Sequence, residues 1–209
     1  PWESPSNLSV RECIPGISSK AEDPDKLMSA TLNQIRDVST SLVVYTDGSA
    51  TAGTTNGGAG IVITNGDPAA PEVREIIMEK GAPRTSSYEE EVAAMNTALD
   101  WIKKNCPDEQ KVTICTDSLS LCQALTALNE DVDPTICRIA DCKTDIVIQW
   151  VPAHVGMPGN EAADRAAKDA TKLNSESRPI SFASACARIR QAVQDPPPTD
   201  AGDIRIHEI

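Results

Sequence analysis

Short apolar runs separated by turn-forming residues dominate residues 42–80 of the chain. Three of these runs are rich in β-branched residues and predict strands at Leu42–Tyr45, Ala59–Thr64 and Val73–Glu79. The connections between them carry Gly, Asn and Pro, including the pair Asn65-Gly66, and are too short to hold a crossover helix. The pattern therefore predicts three antiparallel strands that are neighbours in one sheet.

The periodicity changes from that of strands to that of helices after residue 84. Ser87, with Glu90 three positions later, predicts a capping box, and apolar residues continue at helical spacing as far as Ile102. Two more strands, Lys111–Thr116 and Ile146–Val151, are each followed by a helical pattern. Strands separated by helical segments favour parallel crossovers. We therefore expect an α/β fold with a five-stranded mixed sheet, three antiparallel strands and then two parallel ones, flanked by helices.

The two ends of the chain differ from this central part. Residues 1–40 contain four prolines and little periodicity apart from one short amphipathic helix at Leu27–Arg36, which is typical of a linker. The last residues are compatible with one helix around Phe182–Val193. We expect residues 1–40 to be a linker from an upstream region, 41–175 to be one domain, and 176–209 to be a C-terminal tail.

Composition limits where such a chain acts. The seven cysteines are odd in number and form no Cys-x-x-Cys pair, which indicates reduced thiols rather than a disulfide framework or a zinc site. The sequence contains no run of about 18 apolar residues and predicts no membrane-spanning helix. Its start also lacks the charged and apolar blocks of a secretory signal. We expect an intracellular protein with no membrane partner, located in the cytoplasm, the nucleus or both.

The charge of the chain argues against a nucleic-acid partner. The formal net charge is -12, and residues 41–174 contain 20 acidic and 11 basic residues, so the excess lies in the predicted domain. Binding to phosphates is driven by lysine and arginine side chains that displace counterions. Clustered carboxylates that hold divalent cations would account for part of the acidic excess.

Two of the predicted strands end in an aspartate. Asp47 follows the first strand and Asp117 follows the fourth, each before a small residue. If these two strands are adjacent and parallel, both side chains emerge at one end of the sheet, where open α/β sheets bind ligands. Taken alone, the pair Asp47-Gly48 also fits a simple turn, in which glycine permits a sharp change of direction.

Two further acids and a histidine lie in helical or loop contexts. Glu91 lies at the edge of the apolar stripe of its helix, where an unpaired carboxylate is costly to bury and needs a cation or a partner. Glu161 and Asp164 share one face of the last helix, although Glu161 also fits as an acid favoured by the helix N-terminus. His154 lies in a loop rich in glycine and proline, which favours a mobile proton carrier over a core histidine.

Four carboxylates at one end of a sheet would repel one another unless divalent metal neutralised them. Hard oxygen ligands select Mg²⁺ or Mn²⁺. Two such ions suit in-line displacement at a phosphodiester, because one lowers the pKa of the attacking water and the other stabilises the leaving oxygen. The acids therefore predict a two-metal site for phosphodiester hydrolysis.

Four sequence blocks resemble, in order, those of the ribonuclease H domain at the end of the polymerase polyprotein of non-LTR (LINE-type) retrotransposons. The blocks are Tyr45-Thr-Asp-Gly-Ser49, Glu91-Val-Ala-Ala94, Cys115-Thr-Asp-Ser118 and, as the most specific one, Gln149–Asp164. The resemblance covers roughly residues 41–174. Ile14–Lys20 also resembles the stretch between polymerase and nuclease. The resemblance implies a ribonuclease H-like fold and an endonuclease that hydrolyses the RNA strand of RNA–DNA hybrids with Mg²⁺ or Mn²⁺, tethered to an upstream reverse transcriptase.

The resemblance also implies roles for individual residues. The metal ligands, which are also catalytic residues, would be Asp47, Glu91, Asp117 and Asp164. His154 would be the loop histidine that assists turnover. The substrate contacts would be Gly48, Ser49, Arg84, Ser86 and Ser87.

The chain departs from the family pattern in two places. Residues 129–144 are short and acidic where bacterial members often carry a basic helical protrusion for the hybrid, so we expect weak binding of the hybrid by the isolated chain. Leu119 replaces a polar residue that some members use near the second aspartate. Two other interpretations remain open: a catalytically silent ribonuclease H-like domain that binds nucleic acid or protein, and a transposase- or integrase-type core.

Overall fold

The chain forms one six-stranded sheet with helices on both faces. The computed structural model describes residues 3–17, 23–38, 40, 42–52, 55–106, 111–180, 185–186 and 189–190. The strands are β1 (Leu8–Arg11), β2 (Leu42–Thr51), β3 (Thr55–Asn65), β4 (Glu72–Lys80), β5 (Lys111–Thr116) and β6 (Asp145–Trp150). The helices are α1 (Pro24–Asp37), α2 (Ser87–Asn105), α3 (Leu119–Ala127), α4 (Asp133–Asp141) and α5 (Pro158–Ala170).

The sheet has the mixed topology that the sequence predicts. Its strand order is β1-β6-β5-β2-β3-β4, in which β2, β3 and β4 are antiparallel neighbours. On the other side, β2 pairs in parallel with β5, and β5 with β6. The first and fourth predicted strands are therefore adjacent and parallel, which is the condition for bringing Asp47 and Asp117 together.

The sheet contains one strand more than the five predicted. Residues Leu8–Arg11 pair in parallel with β6, beginning at Leu8 opposite Ile146. Four residues are too few to show a strand period in the sequence, so only the neighbouring β6 reveals this strand. The stretch predicted to be a linker therefore adds an edge to the sheet.

Helix α1 contains the predicted segment Leu27–Arg36. Its N-cap is Asp23, whose carboxylate accepts a hydrogen bond of 2.9 Å from the backbone N–H of Asp25. Leu32 and Ile35 are buried in the same apolar cluster as Val43 and Tyr45 of β2. This helix therefore packs on the sheet, in the layer that also contains α5.

Two apolar cores lie on opposite faces of the sheet, because successive residues of a strand point to opposite sides. On one face, Val44 and Ile61 pack in a cluster with Met95 and Leu99 of α2. On the other face, Tyr45 packs with residues of α1 and α5. The site described below lies where α2 and α5 both approach β2.

Strand β2 continues past Asp47, so the turn interpretation of Asp47-Gly48 is wrong. Asp47 is paired with Gly60 of β3, whereas the parallel pairing of β2 with β5 stops at Thr46 opposite Thr116. Asp47 therefore lies inside one ladder and just beyond the end of the other. Because β5 ends before β3 does, the side of β2 that faces β5 is unpaired at Asp47.

The capping box of α2 is one residue earlier than predicted. Ser86, not Ser87, is the N-cap, and the carboxylate of Glu89 accepts a hydrogen bond of 2.9 Å from the backbone N–H of Ser86. Ser-Ser followed by Glu-Glu-Glu satisfies the Ser-x-x-Glu pattern in two registers, so the sequence alone cannot distinguish them. The observed register frees Glu90 and Glu91 from capping.

Residues 129–144 are more ordered than their weak pattern predicts. A turn of 3-10 helix, Glu130–Val132, leads into α4, and Pro134 lies in the first turn of α4, where proline is tolerated. The helix expected around Phe182–Val193 lies mostly outside the described residues. Among the helices that the structure describes, none has both the length and the apolar composition needed to cross a bilayer.

Candidate active site

Three carboxyl groups from three separate elements meet where β5 ends beside β2, in the middle of the sheet. Asp47 lies in β2, Glu91 lies in the first turns of α2, and Asp117 directly follows β5. Each offers an oxygen, and these oxygens all lie within 4.8 Å of one another. Asp47 and Glu91 are each only 7% exposed, and Asp117 is half-buried. We refer to these three residues as the carboxylate cluster.

Gly48 allows α2 to approach β2 this closely. A Cβ atom at position 48 would clash with the backbone N of Glu91 and the backbone C of Glu90. The peptide bond between Glu90 and Glu91 therefore rests on Gly48. The glycine is needed for this contact rather than for a turn, and any larger residue would push Glu91 away from Asp47.

Burial raises the pKa values of all three acids, and neighbouring carboxylates add to the effect. Burial, together with the charge of Asp117, raises the pKa of Asp47 from 3.8 to about 7. Burial and the neighbouring charges of Asp47 and Asp117 raise the pKa of Glu91 well above its usual range. Burial likewise raises the pKa of Asp117. In the absence of a cation, the cluster therefore retains protons near neutral pH.

The carboxyl groups of Asp47 and Glu91 also share a hydrogen bond, which lowers the pKa of Asp47 and raises that of Glu91. Glu91 is thus the partner that holds the proton. Its Oε2 atom is buried and has no hydrogen-bond partner among the described residues. A buried oxygen without a partner is costly, and a bound cation would satisfy it.

Asp117 is held in place by two neighbouring residues. The side-chain amide of Asn160 donates a hydrogen bond of 3.2 Å to Oδ2 of Asp117. The indole N–H of Trp150 donates one of 3.2 Å to the backbone carbonyl of Asp117. Asn160 is 2% exposed, and its Oδ1 has no hydrogen-bond partner within the part of the chain that the structure describes. Both contacts fix Asp117 from the β6–α5 side.

A second group of polar residues adjoins the carboxylate cluster. His154, Glu161 and Asp164 each offer a ligand atom, and these atoms lie within 4.8 Å of one another. We call them the His154 cluster. The charge of Asp164 contributes to the raised pKa values of Asp47 and Asp117, and His154 lowers the pKa of Asp117, so the two clusters interact.

Asp164 is therefore near the other three predicted ligands without being part of their closest group. Its carboxylate accepts a hydrogen bond of 2.7 Å from Nζ of Lys168, one helical turn later. The bond to Asp164 raises the pKa of Lys168. The lysine partly neutralises Asp164 in the absence of any other cation.

His154 has an unusual backbone conformation. It is exposed, and its φ angle is +56°. This left-handed region is uncommon for residues other than glycine, although histidine, asparagine and aspartate enter it more readily than most. Strained backbone positions often accompany functional sites. The conformation keeps the imidazole outside the apolar core, as the sequence predicts.

The predicted substrate contacts differ in their exposure and in what their side chains do. Gly48 and Ser49 are half-buried in β2, and Arg84 and Ser87 are exposed just before α2 and at its first residue. Ser86 differs from these four because its hydroxyl caps α2 by accepting the backbone N–H of Glu89 at 3.2 Å. Its side chain is therefore already committed to the helix.

Sequence reasoning missed two residues of the site. The sequence does not single out Asn160, because only its contact with Asp117 gives it a role at the site. The sequence marks Glu161 only as a neighbour of Asp164 and as a helix-terminal acid, whereas the structure places it in the His154 cluster. The spacing of Glu161 and Asp164 was the available signal.

The metal-free protein should lose stability as the pH rises from about 4 to about 7. In this range the folded state holds a proton on Asp47 that the unfolded state has already released, because the folded pKa is about 7 and the usual value is 3.8. A rise of this size corresponds to at most about 4 kcal/mol of unfolding free energy. Urea unfolding in EDTA at several pH values measures the slope.

The variant Asp47→Asn isolates the contribution of this carboxyl group. Its unfolding free energy should fall less between pH 4 and pH 7 than that of the wild type, and saturating Mg²⁺ should also flatten the wild-type profile. Identical slopes for the wild type and the variant in EDTA would contradict the raised pKa of Asp47.

Comparison with known proteins identifies the arrangement. The family model for RNase H matches residues 39–172. A ribonuclease H from Bradyrhizobium sp. (strain ORS 278) is 27% identical over 147 residues, which cover 62% of this chain and 89% of that protein.

The chain is also similar to solved structures. The match to RNase H1 from Halobacterium salinarum NRC-1 has a TM-score of 0.51 at 20% sequence identity. It covers 63% of this chain and 97% of the archaeal chain. The match to LC11-RNase H1, which was solved in complex with an RNA/DNA hybrid, has a TM-score of 0.51 at 17% sequence identity. It covers 62% of this chain and 98% of the LC11 chain. These two structures share the fold.

Proposed function

Because the chain belongs to the RNase H family, we propose that it hydrolyses the RNA strand of RNA–DNA hybrids at the carboxylate cluster. The observation that carries this proposal is the convergence of Asp47, Glu91 and Asp117, whose oxygens lie within 4.8 Å of one another. The buried Oε2 of Glu91, which has no partner among the described residues, and the raised pKa values of all three acids support a site that holds a cation.

The donor set fits two Mg²⁺ or Mn²⁺ ions. Asp47, Glu91 and Asp117 would supply hard oxygen ligands, and Asp164 would complete the set from α5. Bound divalent ions supply the Lewis acidity that activates water and stabilises charge on the leaving oxygen of a phosphodiester. Lys168 holds Asp164 by a hydrogen bond, and Asn160 keeps Asp117 oriented towards the site.

The remaining residues of the site position the hybrid and move protons. Gly48 and Ser49 present the backbone of β2 to the RNA strand, and Arg84 and Ser87 offer a cation and a hydroxyl to phosphate or sugar groups. Ser86 contributes through its cap, which holds the first turn of α2. His154 is exposed beside the carboxylates and carries a proton to or from the reacting groups.

Cleavage assays test the proposed substrate. With Mg²⁺, the protein should cut the RNA strand of a labelled hybrid and leave duplex DNA of the same sequence intact. Binding of the hybrid without cleavage would favour a catalytically silent binding domain. Cutting of DNA would favour a transposase- or integrase-type core. Either result would contradict the proposal.

Replacement of His154 should lower the turnover number without weakening hybrid binding. Asparagine also adopts the left-handed backbone region, so His154→Asn removes proton transfer without adding backbone strain. We expect kcat to fall roughly 10- to 1000-fold, the range of general acid–base catalysis. Single-turnover kinetics and hybrid binding in Ca²⁺ would measure the two effects separately. A variant that binds the hybrid less tightly but turns over normally would contradict this role.

We further propose that the domain is part of a retrotransposon reverse transcriptase polyprotein. The support is the resemblance of the four blocks and of Ile14–Lys20 to such proteins. The coding sequence upstream of Pro1 provides a direct test, because it should encode a polymerase in the same reading frame. An unrelated upstream coding sequence would contradict the proposal.

The charge distribution supports tethering to such a polymerase. With 20 acidic and 11 basic residues in 41–174, the domain can neutralise few phosphates by itself. A covalently attached polymerase would raise the effective hybrid concentration. Hybrid binding by the isolated chain should therefore be weak. The slope of log affinity against log salt concentration should correspond to the neutralisation of about two or three phosphates. A tight complex with a steep salt dependence would show that the basic residues are gathered on one face instead.

A further inference from the structure

The residue next to the proposed ligand Glu91 is also a buried acid. Glu90 is 2% exposed, and its carboxylate enters a crevice between the start of β3 and the end of β4. Gly57 and Gly81 line this crevice, and a Cβ atom at either position would clash with the carboxylate. The backbone N–H of Ala82 lies 3.4 Å from Oε1, which is a long hydrogen bond. A buried carboxylate with so weak a donor needs a cation.

Arg178 supplies that cation from outside the region that matches the family. Its Nη2 atom lies 2.6 Å from Oε2 of Glu90. The family match ends at residue 172, whereas Ser175–Pro179 continues alongside Met78–Lys80 of β4. The arginine side chain is 32% exposed, and its Nε atom is buried without a hydrogen-bond partner among the described residues. The guanidinium therefore reaches inwards from the surface to Glu90.

The geometry couples this ion pair to the carboxylate cluster. Glu90 and Glu91 are consecutive, so their side chains leave α2 about 100° apart. The peptide bond between them rests on Gly48, beside Asp47. Any rotation of α2 that carried the Glu90 carboxylate out of its crevice would also move Glu91 relative to Asp47. The anchor on Glu90 thus sets the rotation of α2 at the point where Glu91 enters the site.

We propose that Arg178 is a positioning residue for the catalytic site. It holds the Glu90 carboxylate in the crevice and thereby keeps Glu91 in reach of Asp47 and Asp117. On this proposal, the segment after residue 172, where the family match ends, contributes to the geometry of the site. The inference rests on the proposed role of Glu91 as a metal ligand, and its test must separate the two.

The primary test is Mg²⁺ binding by Arg178→Ala, measured by isothermal titration calorimetry and by the Mg²⁺-induced rise in melting temperature. Loss of a group that orients a ligand typically weakens metal binding about 10-fold or more, and we expect a loss of at least this size. Arg178→Lys retains the charge and should recover part of the affinity. Arg138→Ala is the matched control. Arg138 lies in α4 and pairs at 3.1 Å with Asp100, which is in α2 like Glu90 but nearer the C-terminal end of that helix. That control should bind Mg²⁺ within about twofold of the wild type.

A double-mutant cycle asks whether Arg178 acts through Glu90. In the background Glu90→Gln, the further change Arg178→Ala should add little to the loss of Mg²⁺ affinity, since the two residues form one unit. The double variant also removes the unpaired buried charge, so it should melt at a higher temperature than Arg178→Ala and stay folded even where the single variant does not. Independent, additive losses would overturn the proposal.

The outcomes also separate this inference from the proposed function. If the wild type neither binds Mg²⁺ nor cleaves a hybrid, the proposed function fails. If the wild type does both, and folded Arg178→Ala binds Mg²⁺ as tightly as the wild type, only the role of Arg178 fails. Weak Mg²⁺ binding by Arg178→Ala with a normal KM for the hybrid would support positioning of the metal ligands rather than contact with the substrate.

Discussion

Asp47→Asn is expected to reduce cleavage of the RNA strand by at least about 1000-fold, the scale on which loss of one member of a catalytic unit acts. Asparagine keeps the shape of the side chain but removes a negatively charged group from the carboxylate cluster. The fold should remain intact. Without metal above pH 7 the variant should melt at or above the wild-type temperature, because burial and Asp117 raise the pKa of Asp47 to about 7 and ionisation there destabilises the folded state.

Asp145→Asn is the matched control for this prediction. Asp145 is an exposed aspartate at the first residue of β6, whereas the cluster lies beyond the last residue of the neighbouring β5. The control should cleave the hybrid at the wild-type rate. Cleavage measured over a Mg²⁺ series, with circular dichroism to verify folding, distinguishes the two variants. Wild-type activity in folded Asp47→Asn would remove Asp47 from the site.

Glu91→Gln should likewise abolish cleavage while its neighbour Glu89 tolerates the same change. The Oε2 atom of Glu91 is buried and has no hydrogen-bond partner in the part of the chain that the structure describes, and glutamine cannot replace the negative charge there. Glu89 instead closes the capping box with Ser86. Glu89→Gln should therefore cost about 1 kcal/mol or less of stability and leave the rate unchanged. Rates and urea unfolding of both variants provide the measurement.

This pair of variants tests the register of α2 directly. If the box were formed by Ser87 and Glu90, as the sequence first indicates, Glu90→Gln would be the change with only a small effect on stability. The structure instead buries Glu90 beside Arg178 and assigns the cap to Glu89. An active Glu91→Gln, or an inactive Glu89→Gln, would show that α2 is rotated from its observed position.

Much of the fold is determined by local patterns. The five predicted strands and the α2, α3 and α5 helices follow from apolar periodicity, and the mixed sheet follows from the lengths of the connections. Strand β1 is different, because four residues show no period until β6 offers them a partner. The continuation of β2 beyond Asp47 also depends on a partner, since β3 extends past this point and β5 does not.

The site divides in the same way between local and non-local information. Asp47 and Asp117 were predicted to converge because parallel neighbouring strands end at the same edge. Asn160 could not be selected, because its role depends on a contact with Asp117 across 43 residues of sequence. The pair of Arg178 with Glu90, 88 residues apart, was equally invisible. Single residues of common types carry no signal of partners so far away along the chain.

By itself, the sequence determined the order of the elements other than β1 and α4, the convergence of Asp47 with Asp117, and the family to which the chain belongs, because periodicity and ordered motifs are properties of neighbouring residues. Only the tertiary structure decided which register of Ser-Ser-Tyr-Glu-Glu-Glu caps α2, and therefore that Glu89 closes the cap while Glu90 is buried beside Arg178. Both registers satisfy the same local pattern. The choice is made by packing, since Gly48 admits the Glu90–Glu91 peptide and the crevice at Gly57 and Gly81 admits the Glu90 carboxylate. These contacts exist only once β2, β3, β4 and α2 have come together.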